Sequence, residues 1–234
     1  MFKKFLPLLL AAVAVAAHAN EEKVKKAVEA ALGGKVESVT KAGALGLYEV
    51  YSAGQIMYVD EKVTTLVFGA LVDVKTKKNL TDERIKKLTA IKFSDLPFDQ
   101  AFKQVRGDGK RVLATFEDPN CGYCKRLHKD IQKLDNATIY TFMVAFLSED
   151  SLKKSKQIWC APDRAKAWND WMIDNKAPPG KDDCDTAAID KNTQFAQAQR
   201  ITGTPTLIFA DGERIPGAVP LPKIEEKLNS LKGK

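Results

Sequence analysis

Histidine and cysteine are scarce in this sequence of 234 residues, which restricts the metal sites and nucleophiles that it can provide. There are two histidines, His18 and His128. All four cysteines lie in the second half of the chain: Cys121, Cys124, Cys160 and Cys184. Structural zinc takes four ligands, typically two CxxC pairs or one such pair with two histidines. A zinc site would require Cys160 and Cys184 to fold back onto the first pair, so we predict neither a metal nor an organic cofactor.

Long apolar runs are absent after residue 19, and no later segment approaches the ~20 apolar residues that a transmembrane helix needs. The chain begins with a basic stretch at 1–4 and an apolar stretch at 5–17, followed by the small-x-small sequence "AHA". The apolar stretch is too short to be a membrane anchor. The pattern is that of a bacterial secretory signal peptide over residues 1–19, so we predict an exported and soluble mature chain.

A strong excess of charge of one sign is also lacking. The formal net charge is +7, and loss of Lys3 and Lys4 with the signal peptide would lower it to +5. Basic and acidic residues alternate along most of the chain, which is typical of solvated helix faces. We therefore predict no nucleic-acid partner.

Residues 20–81 contain neither cysteine nor histidine, so we expect no catalytic group there. The sequence "EEKVKKAVEAAL" at 21–32 places its apolar residues on one helical face and is followed by Gly33 and Gly34 as a C-terminal cap. At 35–75, short β-branched and aromatic runs separated by glycines predict an antiparallel meander. One helix on so small a sheet buries little apolar area, so packing on another copy of the chain would stabilise it.

The second half of the chain has a different pattern. One helix is predicted at 79–93, with Thr81 as its N-cap, and another at 98–105. Then follow the strand "RVLATFED", a helix to about Leu134, the strand "TIYTFMVAF", a helical stretch at about 149–200, a strand with a hairpin, and a last helix. The order contains a βαβ unit and matches a thioredoxin fold with a helical insertion.

The sequence "DPNCGYCKRLHKDIQKL" at 118–134 places Cys121 and Cys124 where the apolar strand gives way to a helix. Haem attachment would need CxxCH, and residue 125 is lysine. An inert disulfide is an alternative to a redox pair. The redox pair fits physically, because the unpaired N–H groups and the positive end of a helix favour a thiolate at Cys121. Cys124, one turn further on, could share a hydrogen with it and should be less exposed.

Two polar side chains follow the pair on the same helix. His128 lies seven residues after Cys121, which is ~10 Å along a helix axis and too far for direct proton transfer. We interpret it as a packing or surface histidine. Lys125 is at i+4 from Cys121 and could raise the local positive potential, although a solvated helix face is the favoured interpretation.

The sequence "GTPT" at 203–206 precedes the strand "LIFAD". A proline at the start of a strand has no N–H to donate to the sheet. If the bond between Thr204 and Pro205 were cis, backbone groups would face outward beside the sulfurs, ready to pair with an extended peptide. An ordinary trans turn is the alternative, but the CxxC pair and the terminal hairpin favour the cis bond.

The segments "FEDPNCGYCKRLH" and "ITGTPTLIFADG", the preceding cysteine-free domain and the signal peptide together resemble the DsbC family of bacterial periplasmic thiol:disulfide interchange proteins. The likeness covers essentially the whole mature chain. Gly122 and Tyr123 between the cysteines are what this family carries, whereas the related DsbG proteins usually have proline in place of Gly122. Lys125 is a departure, because the family often has histidine there.

The resemblance implies a combined α+β and α/β fold with a fixed domain order. A signal peptide at 1–19 precedes a cystatin-like dimerisation domain at 20–81, a linker helix at 82–96 and a thioredoxin-like catalytic domain at 97–234. The helical insert lies within the last domain. The family implies a periplasmic homodimer joined through 20–81, with its catalytic domains facing across an uncharged cleft.

The resemblance also implies residue roles. Cys121 would be the attacking thiol and Cys124 its partner, and the two would form the redox-active disulfide when oxidised. Four residues would shape the substrate site: Gly122, Tyr123, Thr204 and Pro205. Cys160 and Cys184 would form a second, structural disulfide that holds the helical insert.

The expected activity is disulfide isomerisation or reduction with accessory chaperone activity, acting on misfolded exported proteins. The family implies a membrane thiol reductase of the DsbD type as electron donor. A net dithiol oxidase and a holdase-type chaperone are the alternatives. The CxxC pair alone does not separate them, since redox poise depends on burial and hydrogen bonding. The cysteine-free N-terminal domain favours the isomerase, because a monomeric oxidase has no evident use for it.

Overall fold

The computed structural model describes residues 7–179 and 181–231, which fall into two compact units divided between Leu88 and Thr89. Residues 1–6 of the predicted signal peptide lie outside the described residues, and residues 7–19 form the beginning of the first helix. Within the described part of the chain, no helix is both long and apolar enough to cross a membrane. Cleavage after residue 19 stays a prediction, and so do the predicted domain limits.

The first unit contains the predicted helix and antiparallel sheet. Its described elements are α1 (Pro7–Leu32), β1 (Ser38–Lys41), β2 (Tyr48–Ser52), β3 (Gln55–Val59), β4 (Leu66–Val67) and α2 (Leu80–Leu88). The four strands pair antiparallel in the order β1-β2-β3-β4. Helix α1 packs on this sheet through Val24 and Val28, which are one turn apart and contact the core around Val50.

Asn79, and not Thr81 as predicted, caps helix α2. The side-chain oxygen of Asn79 accepts a hydrogen bond from the N–H of Asp82 at 3.1 Å. Thr81 is buried, with its Oγ1 2.5 Å from the hydroxyl oxygen of Tyr58 and accepting from the N–H of Leu71 at 2.8 Å. Its hydroxyl therefore fastens α2 to the sheet, a contact that a local capping pattern does not reveal.

Helix α2 also ends at Leu88, earlier than the predicted residue 93. The following segment belongs to the second unit, where the N–H of Ile91 donates to the carbonyl of Gly212 at 3.0 Å. In a continued helix the N–H of Ile91 would donate to a carbonyl of the preceding turn. Its hydrogen bond to Gly212 replaces that helical bond.

The second unit is a five-stranded sheet with helices around it. After the 3-10 helices Phe93–Asp95 and Phe98–Gln100, its described elements are β5 (Phe102–Arg106), β6 (Arg111–Glu117), α3 (Gly122–Ile131), β7 (Ala137–Met143), α4 (Glu149–Trp159), α5 (Arg164–Asp174), α6 (Ala187–Ala198), β8 (Thr206–Phe209), β9 (Arg214–Pro216) and α7 (Leu221–Ser230). The strand order is β5-β7-β6-β8-β9, and among these described strands only the β6–β7 pair is parallel. The predicted βαβ unit and the insertion of helices α4 to α6 are confirmed.

The prediction of a helix at 98–105 is wrong. Its apolar residues recur at helical spacing, but the structure has one 3-10 turn there and then strand β5. Phe102 and Gln104 point into the protein while Lys103 and Val105 are exposed, so the period is two. Antiparallel pairing with β7 decides the conformation over the local pattern, since tertiary contacts outweigh weak helical propensity.

Strand β6 places the next segment at the centre of the unit. It lies between β7 and β8, and its residues from Leu113 to Glu117 are buried. Phe116 stacks on Phe142 of β7 with ring centroids 4.7 Å apart. Because the strand is fixed on both sides, the turn that follows it begins from a rigid position.

Candidate active site

Cys121 forms the N-cap of helix α3, directly after strand β6 and a tight turn. In that turn the N–H of Cys121 donates to the carbonyl of Asp118 at 3.1 Å. The sulfur of Cys121 accepts a hydrogen bond from the N–H of Cys124 at 3.4 Å, as a capping side chain does. The first turn of a helix has N–H groups without intrahelical partners, so it offers donors to this sulfur.

The structure brings the segment containing Thr204 and Pro205 to Cys121, from 83 residues away in sequence. The Cys121 sulfur lies 3.3 Å from the carbonyl oxygen of Thr204, to which its thiol form donates. The peptide bond between Thr204 and Pro205 is cis. Pro205 is buried and Thr204 is half-buried beside the sulfur.

The hydrogen bonds at the helix terminus lower the pKa of Cys121 to about 5. The largest contribution is the hydrogen bond from Cys124, and the Thr204 hydroxyl and the N–H groups of Cys124 and Tyr123 add to it. Burial acts in the opposite direction but is outweighed. Since an unperturbed thiol has a pKa near 8.5, Cys121 is largely a thiolate at neutral pH.

In contrast to that of Cys121, the pKa of Cys124 is raised. Its side chain is completely buried, and burial raises its pKa. The hydrogen bond to Cys121 and the negative charges of Glu117 and Cys121 raise it further. The pair therefore consists of one ionised sulfur, on a residue that is 6% exposed, and one protonated sulfur that is completely buried.

Glu117 is a site residue that the sequence analysis missed. Its side chain is completely buried at the end of β6, and burial raises its pKa to about 8. The hydroxyl of Thr115 donates to one carboxyl oxygen at 2.8 Å, while the other is buried and has no hydrogen-bond partner within the described residues. Coulombic coupling joins this carboxyl to both cysteines. The signal in the sequence was an acidic residue at the end of an otherwise apolar strand.

The residues between the cysteines are open to solvent. Tyr123 has 65% of its side chain exposed, and a side chain at Gly122 would meet nothing within 4 Å. Leu147, from the loop after β7, is also 57% exposed. These exposed groups leave the face around Cys121 accessible to another chain.

Cys160 and Cys184 form a disulfide with each other and do not join the first pair. The bond links the end of helix α4 to the segment before α6, so it closes the helical insert. Cys121 and Cys124 are free thiols in this structure. Among the residues described, no three His, Cys, Asp or Glu side chains are grouped as metal ligands would be.

His128 is buried between α3 and α5, and its interpretation as a packing residue is confirmed. Its Nε2 lies 2.6 Å from the side-chain oxygen of Asn169, and its ring meets Trp168 edge-on at 6.2 Å between centroids. Burial lowers the pKa of His128 to about 4. A neutral histidine therefore helps to fix helix α3 against the insert.

Lys125 does not lie on a freely solvated face, which was the favoured interpretation. Its ammonium lies 4.1 Å from the ring centroid of Trp171 and donates to Asn175 at 2.5 Å. Lys154 lies over the same ring at 4.7 Å. Trp171 in turn donates its Nε1–H to the carbonyl of Pro119 at 2.6 Å, so this aromatic side chain of the insert contacts the turn before Cys121.

Comparison with known proteins agrees with this architecture. Residues 98–232 match the thioredoxin-like domain family, and residues 15–82 match the disulfide bond isomerase protein N-terminal domain. A solved structure of a disulfide interchange protein from Neisseria gonorrhoeae has 39% identity and a TM-score of 0.56, and it covers 59% of this chain and 100% of its own.

Two curated relatives have the same name, probable thiol:disulfide interchange protein DsbC. The protein from Bordetella pertussis is 46% identical over 78% of this chain, which spans 65% of that relative's length. The protein from Bordetella avium is 41% identical over 81% of this chain and 68% of its own length. The chain therefore belongs to the DsbC family of thiol:disulfide interchange proteins.

Proposed function

We propose that this protein is a disulfide isomerase and reductase that rearranges wrongly paired disulfides in exported proteins through Cys121. The observation that carries the proposal is the Cys121 sulfur at the N-terminus of α3, with a pKa of about 5, above a buried and protonated Cys124. The thiolate is the nucleophile in disulfide exchange, so this site is poised to react at neutral pH.

In the first step, the Cys121 thiolate attacks one sulfur of a substrate disulfide. A bond forms between Cys121 and that sulfur, and the other substrate sulfur leaves as a thiolate. The freed thiolate attacks a second disulfide of the substrate and releases a new thiolate from it. A substrate thiolate then attacks the mixed disulfide, forms a bond within the substrate and expels Cys121 as a thiolate. A thiol of low pKa leaves more easily, so the site favours this exchange without net transfer of electrons.

Cys124 releases substrates that stall. Its thiol loses a proton and attacks the Cys121 sulfur of the mixed disulfide, so the substrate leaves as a thiolate and the Cys121–Cys124 disulfide forms. The cycle is completed when an external dithiol reduces this bond with two electrons and two protons. We infer that a membrane thiol reductase of the DsbD type supplies them.

We further propose that Glu117 accepts the proton of Cys124 in this release step. It is coupled electrostatically to Cys124, and one of its carboxyl oxygens is buried without a hydrogen-bond partner in the described structure. At a pKa of about 8 most of the Glu117 carboxyl is protonated at neutral pH, but the negative charge of Cys121 contributes to this raised pKa. Formation of the mixed disulfide removes that charge, so the ionised fraction of Glu117, which can take up the proton, increases.

Substrate recognition would use the accessible surface around Cys121. Tyr123 and Leu147 offer exposed apolar area, while Gly122 adds no side chain that would obstruct a peptide. The Thr204 and Pro205 segment lies beside the sulfur and would pair with an extended chain. We propose misfolded exported proteins as substrates and the periplasm as the location.

Dimerisation through residues 20–81 is part of the proposal, with residues 82–96 as linker and 97–234 as catalytic domain. The support is a run of exposed apolar side chains in and after the short strand β4: Val67, Phe68, Val72, Val74 and Leu80. A second copy that covers them would bury apolar area that the small first unit cannot bury alone. A paired binding surface would also support accessory chaperone activity.

The first prediction concerns the reactivity of Cys121. The rate of alkylation of the reduced protein by iodoacetamide should follow the Cys121 thiolate, so its pH profile should have a midpoint near pH 5. The thiol's folded-state pKa is depressed, so reactivity persists at neutral pH and is lost as the pH falls through 5. Cys121→Ala should abolish this phase. A midpoint near that of a free thiol would contradict the proposal.

The second prediction concerns Glu117. Glu117→Gln keeps the size of the side chain but cannot take up the proton, so release of a peptide from its mixed disulfide with Cys121 should slow at least about tenfold at pH 7. Acid trapping of the mixed disulfide measures the rate. Glu226→Gln, an exposed site on α7, is the matched control and should behave as the wild type. Equal release rates in all three proteins would exclude Glu117 from this step.

The third prediction concerns the dimer. Replacing both Phe68 and Val74 by Asp puts charges on exposed positions without disturbing the core, so the unit should fold but the protein should sediment as a monomer. Leu45→Asp, at a residue exposed in the turn between β1 and β2, should leave the dimer intact. Suppression of aggregation should fall only in the double variant. A dimer that persists in this variant would show that these residues do not form the interface.

A further inference from the structure

Asp118, three residues before Cys121, has a completely buried carboxyl group that accepts four hydrogen bonds. One oxygen accepts from the N–H of Asn120 and from the Ser151 hydroxyl, both at 2.8 Å. The other accepts from the N–H groups of Phe146 at 2.9 Å and Leu147 at 3.1 Å. The side chain thus joins the turn before α3, the loop after β7 and the first turn of α4.

The backbone of Asp118 contacts both sulfur-bearing residues. Its carbonyl accepts from the N–H of Cys121 at 3.1 Å, and its own N–H donates to the sulfur of Cys124 and favours the thiolate there. Movement of Asp118 would therefore displace the donors that face both cysteines.

The helical insert holds this turn at three consecutive residues. Ser151 donates to Asp118, Trp171 donates to the carbonyl of Pro119 at 2.6 Å, and Asp150 accepts from the side-chain amide of Asn120 at 2.7 Å. Ser151 is itself fixed, because its N–H donates to Ser148, the N-cap of α4, at 3.1 Å. The insert is therefore hydrogen-bonded to the segment that positions Cys121.

From this geometry we propose that Asp118 is a positioning residue, through which the helical insert holds the Cys121 sulfur against the N–H groups of the first turn of α3. This inference deepens the proposed function and rests on it. The role is distinct from that of a nearby charge. An anion near a thiolate raises the pKa of the thiol, whereas a residue that holds the sulfur against its donors lowers it.

The test is the pH profile of iodoacetamide alkylation of the reduced full-length protein. Asp118→Asn keeps the shape of the side chain, but an NH₂ group replaces one carboxyl oxygen. That group cannot accept the two hydrogen bonds that the replaced oxygen accepted. Loosening of the turn should raise the midpoint by about one unit, which lowers the thiolate fraction at pH 5 several-fold. Removal of the negative charge alone would lower the midpoint, so the two explanations predict opposite signs. The midpoint is the quantity to compare, since intrinsic nucleophilicity changes with pKa.

Trp171→Phe is the second variant. It keeps a ring beside Lys125 and Lys154 but removes the N–H that holds Pro119, so it should raise the midpoint in the same direction by a smaller amount. Asp130→Asn removes a charge from the outer face of the same helix and is the matched control, with an unchanged midpoint. Urea unfolding of each variant records stability separately.

The outcomes distinguish failure of the positioning role from failure of the proposed function. A wild-type midpoint near 5 with no upward shift in Asp118→Asn would overturn the positioning role and leave the proposed function standing, even if stability falls. If Asp118→Asn does not fold, Trp171→Phe decides: an upward shift supports the role and no shift overturns it. A wild-type midpoint near that of a free thiol would overturn both.

Discussion

The hydrogen bonds from the first turn of α3 to the Cys121 sulfur are the interaction on which the rest of this site depends. A thiol in water has a pKa near 8.5, and little of it is ionised at neutral pH. At Cys121, donors from Cys124, Tyr123 and Thr204 outweigh the penalty of burial. These donors stabilise the thiolate only while the sulfur stays within reach, so the site requires a rigid turn as well as a helix terminus.

The surrounding fold supplies that rigidity. Strand β6 is held between β7 and β8, which fixes the start of the turn, and the insert holds residues 118–120 from the other side. Behind the turn, Cys124 and Glu117 occupy a completely buried position where charge is disfavoured. The two cysteines are only three residues apart, yet one is made acidic by exposure to donors and the other is kept protonated by burial. In the proposed mechanism this asymmetry separates attack by Cys121 from release by Cys124.

The local pattern of the sequence predicted the features that depend on local physics. The CxxC pair at the start of an amphipathic helix, the βαβ order and the helical insert follow from periodicity and spacing, and the structure contains them. The segment at 98–105 was assigned to a helix because its apolar residues have helical spacing, whereas pairing with β7 makes most of it a strand. Thr81, Glu117, Asp118 and Trp171 were not identified in their observed contacts. Their partners lie on other elements, so no window of sequence displays the contact.

In the proposed function Cys121 rearranges disulfides without net transfer of electrons, and the reactivation of scrambled ribonuclease tests this most directly. Reduced protein is mixed with an excess of scrambled ribonuclease in the absence of other oxidants and reductants, while ribonuclease activity and the free thiols of Cys121 and Cys124 are followed together. We expect activity to return at a rate proportional to the protein added while both cysteines stay reduced. Recovery that stops once Cys121 and Cys124 have been oxidised would identify a net reductant, and no recovery would contradict the central role of Cys121.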